Sequence, residues 1–570
     1  MDKQTSQERC ASGRRRGALW RDQRGNVAMM WALMGSVLLS LIGLTIDFTR
    51  AQMIRTQMQN AVDGAALVAE RSSHRSMSER REAARTFFDS EMGDAATGPV
   101  TFVVSQMEDG GHRVEASMPM PVSLARLIND EDWRLRVDAE AQSEASPPIE
   151  VVLVLDNTYS MVNDIDDLRD ASNDLVDSLL ALDGDSVSVG LVPFETMVNV
   201  GNQASHLAWM DTAGAAPYNG EMLEDRLITR EYTNNRRSSG HCNHLDTDVG
   251  DSPYEIRWEK SGRYCYGYNP SEINYFDLFD LVPNVGWSGC VEARPEPYDV
   301  TDAAPSAGNP ATMFVPFFWL DDSDNEYGVL NDWLDDDSLP PGSLRDGGRT
   351  LSVFKYDGDN GSIDQSPPFT RGPNRGCPTP IVPLTSNHST ISAAINNMRV
   401  ISGGGTNSAV GLAWGWRVLS PGVPFTQGRD PEQEDVRKVI VLMTDGENTN
   451  MNVNSEDDLL ESPYNAYGFR GQWTNFEGDM PAQYRRNIDD SESSYVAYVN
   501  SRLSALCDNI KDDDTEIYTV VFREPSQSIR TLLRECATDA DHAFTAENAG
   551  ELHAVFHAIG SGIGQLRLTN

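Results

Sequence analysis

Most of the short signatures that mark catalytic sites are missing from this sequence. It has no His-Glu-x-x-His pair, no Gly-x-Ser-x-Gly elbow and no glycine-rich phosphate loop. Paired carboxylates do occur, but in so acidic a chain they say little about glycosidase chemistry. Positive charge is scarce too: 46 Lys and Arg stand against 86 Asp and Glu, a formal net charge of -40. Such a surface repels phosphate backbones and anionic lipid, which excludes nucleic acid as the main partner. Cysteine is sparse, with seven in 570 residues, and that length exceeds the size at which one hydrophobic core stops growing.

The few cations are unevenly placed. Arg9, Arg14, Arg15, Arg16, Arg21 and Arg24 crowd the start, and Val27 to Ile46 (VAMMWALMGSVLLSLIGLTI) is uncharged and mostly apolar. About twenty such residues let a helix cross roughly 30 Å of hydrocarbon. A cleaved signal would carry a shorter apolar core and a small-residue cleavage site. Here Asp47, Phe48, Thr49 and Arg50 continue the helical pattern, so an uncleaved transmembrane helix is expected over 26–47 behind a basic cytoplasmic tail, 1–25. The positive-inside rule then exports everything after Asp47.

The cysteines fit that orientation. Cys10 falls on the reducing side and the other six on the exported side, where disulfides form. Cys507 and Cys536 lie in two helical patterns with one strand between them and are expected to pair. Cys242, Cys265, Cys290 and Cys377 share an insertion and admit three pairings. Zinc held by His241, Cys242, His244 and Cys265 would match no familiar spacing, and oxidation competes with it.

After the span, Ile54, Met58, Ala61, Ala65 and Val68 recur at three- and four-residue spacings, which predicts a helical stalk. TFVVSQMEDGGHRVEASMPMPV reads as two strands around Asp109-Gly110-Gly111, and WRLRVDAEAQ as a third. Residues 48–145 thus form the stalk and a small α+β unit. Ala145, Ser146, Pro147 and Pro148 form an extended linker.

From residue 149 to 570 the pattern changes. EVVLVLD (Glu150 to Asp156), SVSVGLVPF (Ser186 to Phe194), KVIVLMTD (Lys438 to Asp445) and EIYTVVF (Glu516 to Phe522) are apolar runs suited to strands buried on both faces. Helical patterns alternate with them, which predicts an α/β fold with a mainly parallel sheet. Two insertions interrupt it, at about 200–383 and 447–490. The first is too long for a structureless loop and is expected to have a fold of its own. The acidic stretch from Asp321 to Asp337 lacks the glycine position and closing Glu of an EF-hand and reads as a solvated loop.

One constellation carries chemistry. The first strand delivers Asp156 to its carboxyl end, and Thr158 and Ser160 follow at alternate positions. Thr406 lies in SGGGTNSAVGL, and Asp445 ends a second buried strand before Gly446. Ligands of open α/β sheets gather beyond the strands' carboxyl ends, so these oxygens belong at one edge and suit a hard divalent cation. Singly, each residue is an ordinary turn or cap residue; together, in this order, they resemble the von Willebrand factor A family and its metal-ion-dependent adhesion site. That family has an Asp-x-Ser-x-Ser turn, a distant Thr and a distant Asp. Here Thr158 replaces the first Ser, and Tyr159 is bulkier than the residue often found there. The resemblance implies a doubly wound, mainly parallel sheet. It also implies a cation, Mg²⁺ before Ca²⁺ or Mn²⁺, whose coordination a partner's acidic side chain completes.

A second resemblance covers roughly the first seventy residues. Arg24-Gly25 before the span, Asp47 after it and Gln57, Gln59, Asp63, Ala65 and Ala66 in the following helix are similar to the TadE/TadG-like proteins of Flp (tight-adherence) pilus assembly. Coupling to a von Willebrand A-like domain points to the TadG branch. Prepilin-type cleavage would require Glu five residues after Gly25, where Met30 stands, so no such processing is expected. The resemblances imply a non-enzymatic protein in the bacterial inner membrane, its bulk periplasmic, binding other pilus-assembly components. A surface adhesin using the same metal is the alternative, and a metal-dependent hydrolase built on the large insertion is a more remote one.

Overall fold

The computed structural model describes residues 23–71, 76–107, 111–122, 132–141, 147–181, 186–220, 227–232, 242, 245, 253–270, 273–321, 333–334, 352–356, 363–401, 405–433, 435–450, 464–468, 491–523 and 526–565. It divides into two compact units, Met1–Ser146 and Pro147–Asn570. The basic tail as far as Asp22, Asp109 and Gly110 of the expected turn, and His241 and His244 lie outside the described residues.

In the first unit a single helix, α1 (Gln23–Arg71), runs for 49 residues. Its apolar start is long enough to cross a membrane, and only 6% of that apolar window is buried. Past Asp47 the stripe Ile54, Met58, Ala61 and Ala65 is buried. It packs with α2 (Met77–Met92) and with an antiparallel sheet, β1 (Thr101–Gln106), β2 (His112–Met120) and β3 (Trp133–Ala141). Every second residue of β2 faces this core, as the two-residue period of a strand requires. Ser76 and Glu79 start α2 with a reciprocal capping box. Gln59 Nε2 reaches the Asp138 carbonyl at 3.0 Å, and Gln57 Nε2 the Glu91 carbonyl at 3.1 Å, so these polar residues tie α1 to β3 and α2.

The second unit contains strands β4 (Ile149–Asp156), β5 (Val187–Phe194), β6 (Val198–Asn199), β7 (Leu227–Tyr232), β8 (Arg257–Ser261), β9 (Tyr264–Tyr268), β10 (Cys290–Val291), β11 (Val382–Thr385), β12 (Gly405–Thr406), β13 (Arg437–Thr444), β14 (Thr449–Asn450), β15 (Glu516–Phe522) and β16 (Ala543–Ala546). Its helices are α3 (Ile165–Leu180), α4 (Tyr275–Leu281), α5 (His388–Asn397), α6 (Ser408–Leu419), α7 (Glu492–Asp512), α8 (Gln527–Cys536) and α9 (Ala549–Gln565).

The main sheet has the order β10-β6-β5-β4-β13-β15-β16. β5, β4, β13, β15 and β16 are mutually parallel, whereas β6 and β11 join β5 antiparallel and β10 joins β6 antiparallel. All eight residues of β4 are buried. Val151, Leu153 and Leu155 enter one core with Leu168 and Leu175 of α3, Ile391 of α5 and Phe556 of α9. Val152 and Val154 enter the other with Leu412 of α6, Leu503 of α7 and Leu533 of α8. At roughly 1.5–3 kcal/mol per fully buried aliphatic side chain, β4 needs helices on both faces. Gly411 and Gly415 bring α6 close to the sheet, since a Cβ on either would meet Phe194 or Val154 at 2.6 Å.

The first insertion departs from the expectation of a fold of its own. It builds a small sheet, β7-β9-β8, yet Trp209, Phe314, Phe318 and Trp319 share one continuous core with Val154 and α6. Its aromatic residues leave water by packing against that face of the sheet and α6. Asp321 likewise does not lie in a solvated loop: it is fully buried and its Oδ2 lies 2.7 Å from Lys355 Nζ. Residues 322–332 and 335–337 of that stretch lie outside the described residues.

Three disulfides form: Cys242–Cys265, Cys290–Cys377 and Cys507–Cys536. The first takes both cysteines that a zinc cluster would have used. The last joins α7 to α8.

Candidate metal site

β4 and β13 are neighbours in register, with Leu155 opposite Met443, so the residues just beyond, Asp156 and Thr444, emerge together. Asp156 is wholly buried. Its Oδ1 accepts the Thr158 amide at 2.9 Å, and its Oδ2 accepts the Thr444 hydroxyl at 2.6 Å. The turn this forms brings Thr158 Oγ1 within 2.8 Å of Ser160 Oγ. Ser160 Oγ in turn donates to Asp445 Oδ1 at 2.7 Å. One chain of hydrogen bonds therefore links Asp156, Thr158, Ser160 and Asp445, with Thr444 bridging back to Asp156.

Thr406 reaches this edge by another route. Ile401 forms a parallel bridge with Thr158 and donates its amide to the Asn157 carbonyl at 3.0 Å. Ser402, Gly403 and Gly404 lie outside the described residues. Gly405 has a φ of +146°, and β12 pairs Thr406 with Thr449 of β14. Thr406 is buried, and its Oγ1 lies 4.0 Å from where a Cβ on Gly446 would stand. Asn407 then caps α6 by accepting the Val410 amide.

The electrostatics are strained. Burial pushes the Asp156 carboxyl above its usual range, against the hydrogen bonds from Thr158 and Thr444. Burial, and then the charge of Asp156, push Asp445 up to about 7, opposed by Ser160 and Arg523. Two acids crowded in this way call for positive charge between or beside them. The donors are all oxygens, two carboxylates and three hydroxyls, the set that Mg²⁺ or Ca²⁺ prefers. Hydrogen bonds of 2.8 Å and 2.7 Å bring the Thr158, Ser160 and Asp445 oxygens together. Among the described residues no three His, Cys, Asp or Glu side chains converge on one point, so an ion here would rest on hydroxyls as well as acids.

Three residues of this edge escape the sequence patterns. Thr444, the buried hydroxyl beside Asp445, is visible there only as the residue before an expected ligand. Glu195 follows the last residue of β5 and is 1% exposed. Burial moves its carboxyl up to about 7; Asp156 adds to the shift, and Thr196 and Arg375 oppose it. An acid at the end of an apolar run is the available signal. Arg523, just past β15, pairs with Asp164 and lies close enough to lower Asp445. Tyr159, between Thr158 and Ser160, is 62% exposed.

Residues 25–84 match the family model described as Flp pilus-assembly TadE/G-like. No curated protein matches the chain. Among solved structures, the pilus adhesin SpaC of Lactobacillus rhamnosus GG is 11% identical over 83% of this chain, with a TM-score of 0.30. The chain covers 34% of SpaC, about a third of its length. The vWF domain of the type V pili tip protein Mfa5 of Porphyromonas gingivalis is 10% identical over 74% of this chain and 96% of that one, with a TM-score of 0.30. The PilB minor pilin of Streptococcus sanguinis is 12% identical over 82% of this chain and 78% of that one, with a TM-score of 0.27. Likeness at this level assigns no residue a role.

Proposed function

We propose that this chain is a membrane-anchored, non-enzymatic partner-binding protein of Flp pilus assembly, of the TadG kind, with a von Willebrand A-like second unit. The observation that carries the binding reading is the chain of hydrogen bonds from Asp156 through Thr158 and Ser160 to Asp445. The pilus context is supported by the family match over residues 25–84.

In this reading Thr158, Ser160 and Thr406 offer hydroxyl oxygens to a divalent cation, Mg²⁺ first, and Asp156 and Asp445 balance its charge directly or through water. When bound, the cation supplies a coordination position that an acidic side chain of a partner completes. Thr444 and the Thr158 amide hold Asp156 in place for that task. The helix from Met29 anchors the chain in the inner membrane. The basic residues ahead of it keep the N-terminus cytoplasmic and place the second unit in the periplasm.

The test is calorimetric titration of the detergent-solubilised full-length chain with Mg²⁺, Ca²⁺ and Mn²⁺, beside Asp156→Ala and Asp445→Ala. Saturable binding lost in both variants supports the site. A folded wild type that takes up none of the three ions refutes it. Reaction of a cysteine placed near residue 300 with a membrane-impermeant label in spheroplasts tests the orientation, and protection from the label overturns it.

A further inference from the structure

Thr406 is the one candidate oxygen carried neither by the turn after β4 nor by the end of β13, so its arm has to be held against them from elsewhere. Asn448, three residues past Asp445, supplies the hold. It is fully buried. Its Oδ1 accepts the amide of Ser408, the second residue after Thr406, at 2.8 Å. Its Nδ2 donates to Asn500 Oδ1 of α7 at 2.8 Å. Ser408 is the first residue of α6 and is buried. An amide there has no partner within its own helix, so losing Asn448 would strand a buried donor. The pairing of Gly405 with Asn450 and of Thr406 with Thr449 extends the grip. A Cβ on Gly405 would run into the Thr449 carbonyl, which is why glycine stands there. A second tie reaches the same arm from α7: Asn407 Nδ2 donates to the hydroxyl oxygen of the buried Tyr495 at 3.4 Å. Asn448 at the start of the second insertion and α7 just past its end therefore both bear on the residues around Thr406.

We propose that Asn448 is a positioning residue of the cation site, fixing Thr406 against the Asp445 arm, and that α7 steadies it through Asn500. This rests on the reading of Asp156, Thr158, Ser160, Thr406 and Asp445 as that site. Asn448 acts through main chain and not as a ligand, because its side-chain amide is engaged on both sides, by Ser408 and by Asn500. Groups that orient metal ligands are worth about ten- to a hundredfold in affinity. Here the ceiling is whatever Thr406 itself contributes, since Thr406 is what Asn448 positions. The second insertion is thereby built into the frame of the site.

The experiment titrates Mg²⁺ calorimetrically into the full-length chain in detergent, as wild type, Asp156→Ala, Thr406→Ala, Asn448→Ala, Asn500→Leu, and Thr406→Ala combined with each of the last two. Each is checked for folding by near-UV circular dichroism. Asn448→Ala is expected to weaken Mg²⁺ about tenfold, Asn500→Leu by less, and Thr406→Ala at least as much as Asn448→Ala. Both combined variants are expected to bind no more weakly than Thr406→Ala alone, because nothing is left to position. An Asn448→Ala that folds and binds as wild type does, or whose loss adds to that of Thr406→Ala, overturns the proposal, as does a Thr406→Ala of wild-type affinity. Wild-type affinity in Asn500→Leu overturns the part assigned to α7. If Asn448→Ala does not fold, Asn500→Leu decides the whole: a loss that vanishes in the Thr406→Ala background supports the proposal, and unchanged affinity overturns it. If Asp156→Ala loses Mg²⁺ while Asn448→Ala keeps it, Asn448 alone is removed; if wild type binds no Mg²⁺, the site itself falls.

Discussion

With divalent ions chelated, replacing Asp445 by Asn should stabilise the protein at pH 8, by less at pH 5, and leave it nearly unchanged at pH 4 and below. The Asp445 carboxyl rises from 3.8 to about 7 because it is buried beside Asp156. In the unfolded chain it loses its proton near its ordinary value, whereas the folded chain holds the proton until about pH 7. The stability it contributes is therefore complete below about pH 4 and is lost as pH rises to about 7. A rise of about three pH units corresponds to about 4 kcal/mol as a ceiling. Asp445 is partly exposed, so screening brings this to about 2 kcal/mol. In a unit of this size that is a shift of about 2–4 °C in melting temperature. Asn is neutral throughout and still accepts from Ser160. Thermal unfolding by circular dichroism in EDTA at pH 4, 5, 6, 7 and 8 should show the two proteins together at pH 4 and the variant progressively higher up to about pH 7 and above. Saturating Mg²⁺ should reverse the order, since the variant has lost a carboxylate the ion would use. Coincident melting at pH 8 in EDTA would refute the claim that these acids are crowded.

Other substitutions test the packing within each unit. Gly64→Val would drive a side chain into the Phe87 ring on α2, and overpacking of about 1–3 kcal/mol should appear as faster proteolysis of the first unit. Lys355→Met leaves the buried Asp321 carboxylate without its cation, and the expected loss is about 3–5 kcal/mol in urea unfolding. Cys507→Ser with Cys536→Ser opens a bridge spanning 29 residues and should cost about 3–4 kcal/mol under non-reducing conditions, with the urea midpoint as readout.

What the sequence alone reveals follows from the range of the forces involved. β4, β5, β13 and β15 are visible in it because strands buried on both faces must be apolar throughout, and α1 because its stripe repeats at the helical period. β6, β10 and β11 are not. Each is four residues or fewer, and each is held by pairing with other strands, β10 and β11 with ones distant in sequence, rather than by its own composition. Asp156, Thr158 and Ser160 stand within five residues and share one turn, so their order alone suggests a site. Glu195 follows another strand, and Gly376, which lies beside its carboxylate, comes from a distant segment that only the folded chain brings there. The pairings Cys242–Cys265 and Cys290–Cys377 are undecidable from sequence for the same reason.

The chain's charge sharpens the argument for a cation. At a formal net charge of -40, the surface as a whole repels an acidic partner, and screening weakens that repulsion beyond about 10 Å at moderate salt. Attraction must therefore be local. Arg523 is close at hand but already paired with Asp164. A divalent ion held by hydroxyls, if bound at the proposed site, would not be fully neutralised by its own ligands and would present positive charge where the polypeptide offers little. Under that proposal the acidic surface would serve selectivity, turning away anionic partners except where a carboxylate could reach the ion.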